Sequence, residues 1–135
     1  MQVLVDTSVW SLAFRHSSAP DNPLIKELES LIKDFKVQLI GPIRQELLSG
    51  IKSNKQFEKL KNYLKAFPDY TIQTKDFELA AQYYNQCRSK GIQGSNTDFL
   101  ICAISVNNKW PIFTTDKDFS HFQELVSIEL YQPQM

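Results

Sequence analysis

The first apolar block is Val3-Leu4-Val5, three residues without a polar one between them. A strand with one wet face alternates; a run without alternation suits a strand covered on both faces. Asp6 follows at once. TSVWSLAF (7–14) predicts a short helix with Thr7 or Ser8 as N-cap, and HSSAPDNP (16–23) a loop. From Pro23 to Phe35 the apolar positions Leu24, Ile25, Leu28, Leu31 and Ile32 fall at helical spacing, with Asn22 as cap and Pro23 in the first turn. VQLI (37–40) predicts a strand ended by Gly41-Pro42, and PIRQELLSGI a helix starting at that proline. Asn54 to Phe67 reads as an amphipathic helix with Phe57, Leu60, Tyr63, Leu64 and Phe67 on one side.

Pro68-Asp69 breaks that helix, and YTIQ (70–73) is expected as a strand. A helix over Asp76–Lys90 closes at Gly91, a natural left-handed C-cap. GIQGSNTD is a loop, and DFLICAISVNN a largely apolar and therefore buried helix opened by Asp98. PIFT (111–114) predicts a strand, KDFSHFQEL a short helix, and VSIELY (126–131) a last strand. Strands alternating with helices predict an α/β/α sandwich with a mainly parallel central sheet, in one domain over residues 1–135. Sites in such sheets form beyond the carboxyl ends of the strands. Asp6 and Asp116 both stand at such ends.

Composition narrows the class. The 135 residues suit a single domain, and 42% hydrophobic content supports a core. A formal net charge of zero argues against a strongly basic nucleic-acid binder but leaves room for an enzyme that borrows metal cations. Cys87 and Cys102 form no CxxC pair, and they read as buried free thiols in a reducing compartment. No signal sequence is evident and no apolar run nears the ~20 residues of a membrane span, so a cytoplasmic protein off the membrane is expected.

The chemistry lies in acids at special places. Asp6 follows the first strand, Glu46 lies early in the helix after the second, Asp98 opens the buried helix, and Asp116 follows PIFT with Asp118 two residues on. Each has an ordinary structural reading. Asp6, Asp98 and Asp118 each suit a helix terminus, and Glu46 suits a surface pair with Arg44 or Lys52. Together they raise a different question, because two charges ~4 Å apart cost about 4 kcal/mol at an effective dielectric near 20. Clustered carboxylates therefore call for protonation or a cation, and hard oxygen ligands select Mg2+ or Mn2+. Zinc spacing, a GxSxG elbow, a P-loop and GxGxxG are all absent from the sequence.

These residues carry a resemblance. VDTSVW with Asp6, PIRQELLSG with Glu46, GSNTDFLICA with Asp98 and FTTDKDF with Asp116 resemble, in order, the four motifs of PIN-domain nucleases, and most of all the VapC toxins of toxin–antitoxin pairs. The resemblance implies a metal-dependent endoribonuclease. Asp6, Asp98 and Asp116 would hold Mg2+ or Mn2+, and Glu46 a second ion or the attacking water. Ser8 and Thr114 would support the site, with Asp118 at a commonly acidic position. It also implies an RNA substrate, a cognate antitoxin and a homodimer. Two other readings stay open: an aspartyl-phosphate phosphatase-like hydrolase using Asp6, although Ser8 stands where a second Asp is usual, and a non-catalytic interaction module on the same fold.

Overall fold

The computed structural model describes residues 1–15 and 21–133; most of the expected loop at 16–23 therefore lies outside the described residues. The described elements are β1 (Val3–Val5), α1 (Thr7–Arg15), α2 (Pro23–Lys33), β2 (Val37–Gln38), α3 (Gly41–Leu48), α4 (Asn54–Leu64), α5 (Thr74–Ser89), α6 (Asn96–Asn108), β3 (Ile112–Phe113) and α7 (Asp118–Phe122).

The unalternating VLV block behaves as its pattern demands. Val3, Leu4 and Val5 are all fully buried, and because successive side chains point to opposite faces, both faces of β1 are covered. β1 is the middle strand of a parallel sheet ordered β2-β1-β3. Val3 pairs with Val37, and Val5 with Phe113. The helix contacts fall into two groups: α1 touches α2 and α3, α3 touches α4, and α5 is packed along α6. These are the two helical layers of an α/β/α sandwich, as expected. All carboxyl ends of the parallel strands lie on one edge, and the order reverses at β1, the usual place for a site in an open α/β sheet.

Several boundaries differ from the sequence pattern, for local reasons. YTIQ is not a strand: the outer edge is a single parallel bridge, Leu39 to Asp69, with the Tyr70 amide donating to the Leu39 carbonyl at 3.0 Å. Pro68 has no N–H for a ladder, and Asp69 is drawn to Arg44 at 3.1 Å. VSIELY likewise shrinks to one bridge, Ile112 to Leu130. Trp110, which would pair next, is already taken by α6: its amide donates to the Ser105 carbonyl at 3.0 Å and its carbonyl accepts from the Ser105 hydroxyl. α4 ends at Leu64 rather than Phe67: the amides of Lys65, Ala66 and Phe67 turn to carbonyls three residues back, Pro68 has no N–H for the Leu64 carbonyl, and the Arg44 guanidinium takes that carbonyl, at 3.1 Å, and the one of Phe67. α5 and α6 each begin two residues earlier than their patterns suggest, because Asp76 and Asp98 are third in their helices and each accepts the amide of the capping residue three before it, Gln73 and Ser95.

Residues Phe99 to Ser105 of α6 are all buried, so this helix is the spine of the core. Cys102 lies in it and Cys87 in α5; both are buried free thiols. Burial pushes both thiols up, Cys102 far above its ordinary range, with the charge of Asp98 adding to the effect. One carboxylate is deeper than any other described. Asp76 is fully buried and accepts from Tyr70 Oη at 2.8 Å, the Gln73 amide at 2.9 Å and Asn107 Nδ2 at 2.7 Å. No described helix is long and apolar enough to cross a membrane.

Candidate active site

Asp6 stands where β1 runs out. Its amide donates to the Phe113 carbonyl at 2.9 Å, and its own carbonyl takes the first amides of α1, from Val9 at 3.1 Å and Trp10 at 3.4 Å. It is 7% exposed. One carboxylate oxygen, Oδ2, accepts from Ser8 Oγ at 2.9 Å and from Thr114 Oγ1 at 2.8 Å. The two hydroxyl oxygens in turn accept backbone amides: Thr115 N–H reaches Ser8 Oγ and Asp116 N–H reaches Thr114 Oγ1, both at 3.0 Å. Both hydroxyl protons are therefore committed to Asp6, and the 3.2 Å approach of Ser8 to Thr114 is proximity rather than a donation. Neither Thr7 nor Ser8 caps α1 as expected; both are already inside it.

The other acids are engaged on one oxygen each. Glu46 Oε1 accepts from Thr7 Oγ1 at 2.6 Å, joining α3 to α1. Arg44 is turned away into its pair with Asp69, and among the described residues neither it nor Lys52 forms the surface pair with Glu46 that was the acid's ordinary structural reading. Asp98 is not the first residue of α6 but its third: Ser95 is the N-cap, with Asp98 N–H on Ser95 Oγ and Ser95 N–H on Asp98 Oδ2, both at 3.0 Å. Asp116 Oδ1 accepts from the Asp118 amide at 2.9 Å, which turns the chain into α7. Asp118 begins that helix, and its carboxylate forms no cap.

Placement varies more than the apolar neighbours of these acids imply. Asp6 is buried and Asp98 half-buried, whereas Glu46, Asp116 and Asp118 are exposed. Asp98 feels its surroundings: burial pushes its carboxyl up, the Ser95 hydrogen bonds offset part of the rise, and the charges of Asp116 and Asp6 add to it. These three acids thus share one electrostatic neighbourhood. None of the four takes part in an ion pair among the described residues.

Among the described residues, no three metal-ligating side chains stand close enough together to enclose an ion by themselves. Mg2+ does not require that. It keeps several waters and usually takes one or two protein carboxylates. Asp6 Oδ1, Glu46 Oε2, Asp98 Oδ1 and Asp116 Oδ2 accept no hydrogen bond from a described residue, so each acid presents one unclaimed hard oxygen. The donor set fits a hydrated divalent ion.

A family model described as the PIN domain matches residues 3–125. The chain belongs to the PIN domain family. No curated protein matches it by sequence. Solved PIN-fold structures do resemble it. FitAcB from Neisseria gonorrhoeae superposes with a TM-score of 0.77 at 20% identity over 98% of both chains. VapBC2 from Rickettsia felis, bound to a DNA fragment from its promoter, gives 0.78 at 18%, over 97% of this chain and 98% of that one. VapBC-5 from Mycobacterium tuberculosis, of the VapBC family of toxin-antitoxin systems, gives 0.69 at 18%, with the same coverage.

Three supporting residues of this PIN domain escaped the sequence reading. Ser95 had a signal, since S-x-x-D before an apolar run is a capping-box spacing. Thr7 had none; its partner is 39 residues away. Gly94 is the third. A Cβ there would stand 2.6 Å from Phe122 Cζ and 3.0 Å from both Phe122 Cε1 and Phe99 Cε2. Both rings are buried and lie 4.8 Å apart, so neither has room to yield. Phe99 adjoins Asp98, and Phe122 belongs to the helix after Asp116. Gly94→Ala is therefore expected to cost about 1–3 kcal/mol by overpacking, read as a lower chemical-denaturation midpoint. A midpoint equal to the parent's would mean that the glycine is not needed for this contact.

Proposed function

We propose that this PIN domain is a metal-dependent endoribonuclease, the toxin of a type II toxin–antitoxin pair. The observation that carries the reading is the sharing of one strand-end edge by Asp6, Asp98 and Asp116. Among the described residues each has an oxygen that accepts no hydrogen bond, and no cation is paired to any of them. A bound Mg2+ or Mn2+ supplies polarisation of the phosphodiester and offsets the charge that develops there. Asp6 would hold the ion through Oδ1, because the two hydroxyls on Oδ2 fix the rotamer of its carboxylate. Asp98 and Asp116 would complete the protein's share. Glu46, exposed and steadied by Thr7, would orient the attacking water or a second ion. Ser8 and Thr114 position Asp6 rather than touch substrate. Asp6 is buried, which suits a ligand better than the phosphatase's nucleophile.

The partners proposed are RNA, a second copy of the chain and a cognate antitoxin. Trp10 is core and Phe57 half-buried, but Phe14 stacks on Trp10 at 5.9 Å and contacts Tyr63, and both Phe14 and Tyr63 remain exposed, leaving an aromatic face on α1 and α4 for the antitoxin. The test is incubation of partner-free protein with a defined RNA pool in Mg2+, Mn2+ or EDTA. Cutting in metal and none in EDTA supports the reading; full cutting in EDTA, or none in either metal, removes it.

Metal should also act on stability. The parent is expected to melt higher in excess Mn2+ than in EDTA, by about 2.7 kcal/mol at a hundred times the Kd. Asp116→Asn keeps an acceptor for the Asp118 amide but removes the charge. It is expected to melt no lower than the parent in EDTA and to gain less from Mn2+. A merely structural acid would instead lose about 1 kcal/mol in EDTA and leave the gain intact.

A further inference from the structure

Beside the acids lies an open cleft of about 380 Å3, lined by Pro42, Gln45, Glu46 and Ser49 of α3 and its C-cap, and by Thr97 of α6. It is within the ~300–1,000 Å3 range of small-ligand sites. Thr97 is the residue before Asp98, and Glu46 is itself a wall, so whatever fills the cleft lies next to the proposed reacting phosphate. The lining tells which part of an RNA that is. No Lys or Arg contributes to it. A phosphate would meet the Glu46 carboxylate with nothing to offset the repulsion. A neutral, flat group with mixed donors and acceptors meets no such obstacle. The Ser49 hydroxyl is spent on the Gln45 carbonyl at 2.7 Å, but the Gln45 side-chain amide and the Thr97 hydroxyl make no hydrogen bond to a described residue. They offer donors and acceptors to a base edge, and Pro42 offers an apolar wall. Single-stranded RNA is read in this way, by splayed bases stacked and hydrogen-bonded on their edges.

We infer that the α3–α6 cleft is a nucleobase subsite, with Gln45 and Thr97 as specificity-determining residues for the nucleotide next to the cut. The inference rests on the RNA reading above and adds to it a source of sequence preference. The test uses metal-free parent protein in EDTA, titrated separately with ApA, CpC, GpG and UpU while the Gln45 side-chain amide and Thr97 backbone amide signals are followed by NMR. Both signals should move with one or two of the four, with affinities differing by roughly 3- to 10-fold, the worth of one net hydrogen bond. Gln45→Ala and Thr97→Val should level that difference, and Thr97→Ser should keep it. Equal responses to all four, or the same shifts with ribose 5-phosphate or arginine amide alone, overturn the subsite. A parent that binds selectively but never cuts RNA in Mn2+ keeps the subsite and loses the nuclease reading; one that cuts RNA without selective binding does the reverse.

Discussion

Asp6→Asn is expected to lower metal-dependent RNA cleavage by more than about 100-fold while leaving the fold intact. Asn keeps an oxygen in the place of Oδ2, so it still accepts from Ser8 and Thr114 and still closes the β1–β3 edge. What it loses is the charge and the second hard oxygen. Outer partners of a metal ligand typically account for 10- to 100-fold in affinity or activity. Ser8→Ala and Thr114→Val, which loosen Asp6 without touching its charge, should fall in that range, and Asp6→Asn beyond it. Asp34→Asn, an exposed acid at the end of α2, should cut RNA like the parent. Initial rates over an Mn2+ series separate the cases, because weakened positioning is partly recovered at high metal and a lost ligand is not. Parent-like cutting by Asp6→Asn would remove Asp6 from the site.

The largest effect on stability is expected far from those acids, at Asp76. Removing its carboxylate orphans three donors, from Tyr70, Gln73 and Asn107, in a fully buried position. Each buried group left unmet costs about 1–3 kcal/mol, so Asp76→Ala should lose roughly 3 kcal/mol or more and on the order of 10 °C in Tm. The pH dependence has a definite sign. Burial alone pushes the Asp76 carboxyl up, but the donors from Asn107, Gln73 and Tyr70, helped by Lys75, outweigh it and hold the group below its ordinary value. A carboxyl depressed in the folded state contributes stability above its unfolded pKa, about 3.9, and that stability is lost as pH falls toward the folded value. The parent should therefore lose stability below about pH 4, and Asp76→Asn should lose less over the same interval. Asn107 is near the end of α6 and Asp98 in its first turn, so the Asp76 variants should cut RNA normally whenever they are folded. Equal melting of Asp76→Ala and parent would mean that the buried carboxylate is dispensable.

What was legible in the sequence followed from local pattern. The VLV run, the spacing from Leu24 to Ile32 and the apolar stretch after Asp98 each settle one element, and their order settles a parallel sheet with Asp6 and Asp116 on one edge. Contacts between distant residues left no local trace. Asp76 looks like any acid in the first turn of a helix, and nothing near it in the chain announces Asn107, 31 residues on. Thr114 was placed beside Asp116 by sequence, but its hydroxyl serves Asp6, 108 residues away. The two overread strands, YTIQ and VSIELY, have strand-like composition, but the Gln73 amide of the first goes to the Asp76 carboxylate and the Ile128 carbonyl of the second to the Gln123 side chain, which composition does not show.

The buried thiols give the core a clock. Cys87 and Cys102 come from the two helices of one layer, and burial keeps both in the unreactive protonated form. A thiol reagent in solution must wait until α5 and α6 part, so the rate at which the protein takes up two equivalents of label measures how often that layer opens.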